Sequence, residues 1–437
     1  MAQANQKGLS QSSPVNGLIY SGDYTVKALS IVTSDGIIID IKNLAIEINI
    51  FQDLFAPCIS GSILMGEALD LLANYKLQGN EWLLMDIDKP SLNMPLKKVF
   101  RIYKVADREI KTSLQNYVIY FCSEENVLSL QYLISKAYNG MLVSDMIKDI
   151  LVNKLGVPSK KINFWDTTEG IFTFIVPRMN PFEAIEWLST RAYNGNDATY
   201  LFYEDNIGYN LRSYNNLINQ KVYQTYYKRP KVETFNPPEN VNSVNILKIV
   251  QDFDIIESGR YGAYSGSLYV YDLVNHKLVN YPSDYNNYKL LNDAVPINNS
   301  QNRFKSTLTN SYDMFFKFTP VFDSDQTMNP IHPENFLLKK AMKLAQMHTF
   351  KIIASIPGDI NMQVGNIIQL EIPKAVPQND KMQINEMRTG KYLVTAVHHV
   401  FMNDLMSTVV ELVSDSINGA LNAADNSGQA LITIKEM

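Results

Sequence analysis

The stretch that decides the fold lies near the C-terminal end. It reads SIPGD at Ser355–Asp359, NMQVGNIIQL at Asn361–Leu370, GKYLVTAVHHVF at Gly390–Phe401 and STVVELVSDS at Ser407–Ser416. Apolar and polar residues alternate in each piece, and Gly358, Gly365 and Gly390 stand where turns are needed. A helical run, Asn335–Thr349 (NFLLKKAMKLAQMHT), leads into it. The unit therefore predicts a small barrel in which a Y-x-V-x-x-V-x-H strand pairs with the last one.

Working outward, the N-terminal part has the same texture. YTVKALSIVT, IIIDIKNLAIEINIF, ISGSILMGE, WLLMDID, KKVFRIYKVADREI and NYVIYFCSE read as successive short strands, which suggests a barrel or sandwich. Ser34-Asp35-Gly36 and Gly79-Asn80 mark turns, and Ala68–Lys76 reads as a short helix. From Glu124 to about Tyr214 the period becomes helical in VLSLQYLISKAYN and in LVSDMIKDILVNKLG, which ends at Gly156. A further helix spans Pro181–Tyr193 with Asn180 as N-cap, followed by a hairpin turning at Asn206 to Gly208. The stretch from about 215 to 333 is rich in Asn and Tyr, β-like in its middle and irregular after it.

Composition narrows the function. The 437 residues exceed one domain, and 46% hydrophobic with 19% charged is globular. The charge of -5 is spread along the chain, which gives no basic footprint for gripping phosphate. Cys58 and Cys122 sit in apolar strand-like segments and read as buried thiols rather than a disulfide framework. The first residues lack an apolar signal core and no later run approaches the ~18 apolar residues of a membrane span, so neither export by signal peptide nor membrane insertion is expected.

The residues that could carry chemistry do not converge. His398 and His399 invite a metal, but neighbours on a strand point to opposite faces, and no Cys or third His lies nearby in sequence. Asp252 with Asp254, or Glu124 with Glu125, could be imagined as a glycosidase pair, yet no motif anchors them and solvated carboxylates are the plainer reading. Gly259, Gly262 and Gly266 do not fit a phosphate-loop spacing. Nucleophile-elbow, phosphate-cradling and H-E-x-x-H patterns are absent from the sequence. A tyrosine-rich face around Tyr261, Tyr264, Tyr269, Tyr271 and Tyr281 would suit stacking on a carbohydrate or a protein, against the plainer reading of half-buried strand residues. No catalytic, cofactor-binding or metal-ligating residue is expected, and the residues of any subunit interface stay unknown.

The closing segment resembles that of the central baseplate hub proteins of contractile-tailed, T-even-type phages. It is also similar to late-control proteins of temperate contractile phages and to the N-terminal half of type VI secretion spike proteins. The F-x-x-x-F-x-P-x-x-S-G-x-I segment at Phe51–Ile63 fits the family's first barrel, and the Trp187 helix with its hairpin fits the intervening domain. The resemblance implies an α+β, mostly β chain with two small tube-type β-barrels, a helix-containing insert and a further β-rich module. The expected division is an arm over 1–17, a first barrel over 18–123, a helix-rich domain over 124–213, a second barrel over 214–250 with 337–416, a Tyr/Asn-rich module over 251–336 and a tail over 417–437.

The resemblance also implies a structural protein without enzymatic activity or cofactor. It would form a homotrimeric ring adapting a sixfold tail tube to a threefold central spike, with DNA passing unbound through a neutral or acidic channel. Its partners would be its own copies, the tube or tube-initiator protein, the spike and surrounding baseplate proteins. Its place would be the tail baseplate of a virion, after synthesis in the host cytoplasm. The alternative is a carbohydrate-binding or glycan-cleaving β protein using the tyrosine-rich module. A spike with a fused hydrolase is disfavoured, because no enzymatic domain fits after Ser416.

Overall fold

Strand follows strand in the first 123 residues because β-branched and aromatic side chains alternate there with polar ones. The computed structural model describes residues 22 and 24–416, apart from 90–94, 112–113, 196, 229–241, 253, 255, 257–264, 285–290, 292–309, 318–331, 348–349, 375–383, 386–387 and 403–404. The expected arm and tail, with the final ALITIKEM, lie outside the described residues. So do Tyr261, Tyr264, Gly259 and Gly262.

The chain opens with β1 (Thr25–Val32), β2 (Ile38–Asp40), β3 (Ala45–Asp53) and β4 (Ser60–Glu67). A single turn, α1 (Leu71–Asn74), leads to β5 (Trp82–Asp88), β6 (Leu96–Ile110) and β7 (Gln115–Ser123). All pairings among these strands are antiparallel, in the order β2-β1-β5-β6-β7-β4-β3. Their inward residues, among them Leu29, Ile31, Ile50, Ile63, Phe100 and Phe121, make one core. Each such aliphatic or aromatic burial stabilises the fold by about 1.5–3 kcal/mol.

The insert comprises α2 (Glu124–Gln131), β8 (Ile134–Met141), α3 (Val143–Asp149), β9 (Ile162–Trp165), β10 (Phe172–Met179), α4 (Pro181–Ser189), β11 (Tyr200–Glu204) and β12 (Tyr209–Ser213), and α5 (Tyr214–Ile218) after it buries Tyr214, Leu217 and Ile218 in the second barrel's core. The helix expected over VLSLQYLISKAYN stops at Gln131, and its second half is strand β8, paired with β10. Ile134 and Tyr138 are both buried. Residues four apart share a face in a strand as well as in a helix, so their spacing could not decide. α4 starts as expected, with Pro181 in its first turn and a capping box between Asn180 and Glu183. α3 runs on through a π-turn at Ile150–Lys154 and ends before Gly156, whose φ is 69°.

Next come β13 (Thr225–Tyr227) and β14 (Ile246–Gln251). The separate three-stranded sheet of β15 (Ser265–Asp272), β16 (Lys277–Asp284) and β17 (Asn310–Lys317) follows. Helix α6 (Leu337–Met347), β18 (Phe350–Pro357), β19 (Ile367–Glu371), β20 (Gly390–Met402) and β21 (Leu405–Ser414) complete the fold. The second barrel has the order β14-β18-β21-β20-β19-β13. Its path returns on itself where Ser243, just before β14, bridges Tyr227 of β13 and the Val244 amide donates to the Tyr227 carbonyl at 2.9 Å.

The two barrels repeat one plan. β3-β4-β7-β6-β5 in the first corresponds to β14-β18-β21-β20-β19 in the second, and the plans part at the sixth strand, where β1 runs antiparallel to β5 but β13 parallel to β19. The correspondence extends to irregularities: β6 slips by one residue against β7 between Ile102 and Lys104, and β20 slips against β21 between Val394 and Ala396.

Candidate functional site

The Y-x-V-x-x-V-x-H pattern falls on Tyr392, Val394, Val397 and His399, and all four are buried. The extra residue between the two valines is the bulge, which lets both halves of a long strand keep their apolar side inward. β20 thereby serves both barrels. Gly390–Leu393 pair with β19 of the second barrel, while Ala396–Met402 pair with β3 of the first. On its other edge it pairs with β21, and Phe401 and Met406 from this hairpin lie in the first barrel's core. The two barrels are one continuous sheet, joined along β20 and β3.

The adjacent histidines sit on this join and point to opposite faces. His399 is fully buried; its Nδ1 lies 3.1 Å from Thr408 Oγ1. Burial, helped by the neighbouring His398, pulls its pKa down to about 3. His398 is half-buried, with Nε2 2.7 Å from Asn49 Oδ1 and its ring stacked on Phe51 at 4.3 Å. Its pKa is also lowered, chiefly by burial, so both rings are neutral at pH 7.

Direct partners across antiparallel strands share a face. His398 therefore lies in a row Val409–His398–Phe51–Ser60, and Val400 in a row Ser407–Val400–Asn49–Ser62. These two rows run without a break from one barrel to the other and carry no ionised side chain at neutral pH. Acidic groups enter only in the flanking rows, as Glu47, Asp53 and Glu411, and Glu411 is paired with Lys351 at 2.8 Å. The strand junction is thus an uncharged face of serine, asparagine, valine, histidine and the exposed ring of Phe51.

The other residues singled out in the sequence do not gather into a site. Asp252 pairs with Arg388 at 2.7 Å, Glu124 with Arg101 at 3.3 Å and Glu125 with Lys161 at 2.8 Å. Each is the partner of a cation, and the side chains of Glu124 and Glu125 diverge. Cys58 and Cys122 are free thiols, and burial pushes the pKa of both up. Gly266 is within strand β15. Among the described residues, no group of three or more His, Cys, Asp or Glu is placed to hold a metal ion.

The tyrosine-rich face requires correction. Tyr269 and Tyr271, two apart on β15, share a face, but Tyr281 lies directly across from Leu268 and so shares the opposite one. Tyr281 packs on the cluster of Leu268, Val270, Leu338 and Met342 beneath α6. The described tyrosines do not form one stacking platform.

Sequence reading missed two buried ion pairs that fix the insert and α6 to the barrels. Glu204, at the end of β11, accepts from Lys98 Nζ at 2.7 Å, Ser123 Oγ at 2.5 Å and the Ile59 amide at 2.9 Å. Asp415 accepts from Lys343 Nζ at 2.7 Å, Tyr214 Oη at 2.9 Å and the Leu291 amide at 2.9 Å. Burial alone would raise the Asp415 pKa, but the Lys343 ammonium and these donors outweigh it and hold it low. No local motif marks such pairs, because the partners are more than 70 residues apart.

A groove of about 440 Å³ between the insert and the first barrel is lined by Leu54, Phe55, Phe182, Glu186, Phe202 and Lys340. Burial lowers the Lys340 pKa to about 8, and its ammonium donates to the Ser189 carbonyl at 3.2 Å.

A probable baseplate hub protein of Vibrio phage KVP40 is 22% identical over 408 residues, covering 86% of this chain and 91% of that protein. The tail protein from Neisseria meningitidis MC58 superposes with a TM-score of 0.54 at 11% identity, covering 90% of this chain and 98% of that one. The 43 kDa tail protein of prophage MuSo2 from Shewanella oneidensis gives a TM-score of 0.54 at 9% identity, over 89% and 98% of the two chains. No family model matches the chain. The names of these relatives give a place in a tail or baseplate and no reaction, in keeping with the expectation that this chain is not an enzyme. In sequence the chain is similar to a probable phage baseplate hub protein, and in fold to tail proteins, one of them from a prophage, as its closing segment led us to expect.

Proposed function

We propose that the chain is a structural hub of a contractile-tail baseplate, acting as a homotrimeric ring that adapts a sixfold tail tube to a threefold central spike. The observation that carries this reading is the repeat of one strand order in two barrels joined through β20 and β3. A chain with two equivalent β-units offers six of them in a trimer, while its insert and Tyr/Asn-rich module occur only three times. A threefold assembly can thereby meet sixfold and threefold neighbours at once.

The domain division given by the sequence is retained in this proposal. The partners are further copies of the chain, the tube or tube-initiator protein, the spike and surrounding baseplate proteins, within the virion tail. The face of the β4-β3-β20-β21 junction is assigned to the channel wall. Its central rows lack cations, so a passing polyanion finds no counter-charge to hold it. Among the described residues, no helix is long and apolar enough to cross a membrane.

Class averages of purified tails carrying a tag on this chain test the proposal. Three tags around an open central ring are expected. A single tag, or tags at the tail periphery, would contradict it.

A further inference from the structure

The pairing registers of the two barrels correspond strand by strand, apart from one further slip in β6 between Ala106 and Glu109 and one in β14 between Ile249 and Gln251, and the correspondence exposes an unmatched pair of edges. Following cross-strand partners through each sheet, Arg101, Val105, Ala106, Glu109 and Ile110 of β6 occupy the places of Leu393, Val397, His398, Val400 and Phe401 of β20. In the same way Leu247, Lys248, Ile249 and Gln251 of β14 occupy the places of Ile48, Asn49, Ile50 and Phe51 of β3.

Within the chain, the second half of β20 is covered by β3. Among the described residues, nothing pairs with the corresponding edge of β6 beyond Ile102, nor with the outer edge of β14 along Ile246–Gln251. The exposures record the difference. Val397, Phe401 and Ile50 at the covered join are 1%, 1% and 0% exposed, whereas their counterparts Val105, Ile110 and Ile249 are 36%, 70% and 43% exposed. An apolar strand edge left open in this way is a template for another chain.

Resting on the homotrimer reading, we infer that β6 of one copy pairs antiparallel with β14 of the next, in the register that β20 and β3 use within the chain. The occupant is a second copy because each open edge is the structural counterpart of one half of a join that the chain already makes. The transferred register sets Ala106 opposite Gln251, Glu109 opposite Lys248 and Ile110 opposite Leu247. It thus brings a carboxylate to an ammonium and apolar residue to apolar residue. The edges lie on different barrels, so the contact is heterologous and repeats head to tail until the ring closes.

The test uses the full chain with Ala106→Cys and Gln251→Cys combined, since opposed residues in an antiparallel pair lie within disulfide reach. Oxidation is expected to give a covalent trimer on a denaturing gel, with neither single substitution doing so. In parallel, Glu109→Lys sets two cations face to face and is expected to weaken association by roughly tenfold, and adding Lys248→Glu is expected to restore it. A native trimer that neither cross-links nor responds to Glu109→Lys would overturn the seam and leave the trimer standing. A chain that stays monomeric at all concentrations would overturn both.

Discussion

A Cβ placed on Gly61 would meet the Asn49 carbonyl oxygen at 2.3 Å and the Phe121 ring at 2.2 Å, in the middle of the join between β3 and β4. Gly61→Ala is therefore expected to cost about 3 kcal/mol, read as a lowered denaturant midpoint with unchanged slope. The F-x-x-x-F-x-P-x-x-S-G-x-I pattern drew attention to this glycine, but only the approach of the backbone explains it. His399 carries a second prediction. Folded, it stays neutral to about pH 3, whereas an unfolded histidine takes its proton near 6.5. Between those values the unfolded chain binds more protons, so stability falls as pH is lowered through that window, by up to about 1.4 kcal/mol per unit. Thermal melts from pH 7 to 4.5 check this, and His399→Gln should flatten the acid limb. That the two histidines part to opposite faces was legible from strand alternation; how deeply His399 is buried was not, because β3 covers it from some 350 residues away.

At the scale of elements, long alternating runs and strong helix signals were readable, and ambiguous periods were not. α4 announced itself through Asn180, Pro181 and Glu183, and Asn180→Ala should lower stability by about 1 kcal/mol in an unfolding titration. β8 hid inside an apparent helix, since Ile134 and Tyr138 fit both periods. The anchoring of α6 at the end of β21 was invisible, because its buried ion pair joins Lys343 to Asp415 across 72 positions of sequence. Lys343→Met leaves Asp415 charged and buried with only neutral donors, and a loss of about 3–5 kcal/mol is expected. If chemical denaturation of that variant matched the unsubstituted chain, the pair would not be holding the helix.

For the whole molecule, the decisive feature is a repeat that lives in hydrogen-bond registers rather than in residue identities. β6 reads LKKVFRIYKVADREI and β20 reads GKYLVTAVHHVFM, with little in common beyond alternation and a bulge at the same place. Sequence reading reached two β-units through the alternation of their strands, but the shared sheet needed the pairing of β20 with β3, residues far apart in the chain. From that sheet follow the neutral junction face, the edges of β6 and β14 that no described residue pairs with, and the expectation of a closed ring. The measurement that bears on this most directly is the native mass of the purified chain at micromolar concentration. The account predicts a species of three times 49.7 kDa; a stable monomer of 49.7 kDa, or a dimer, would contradict it.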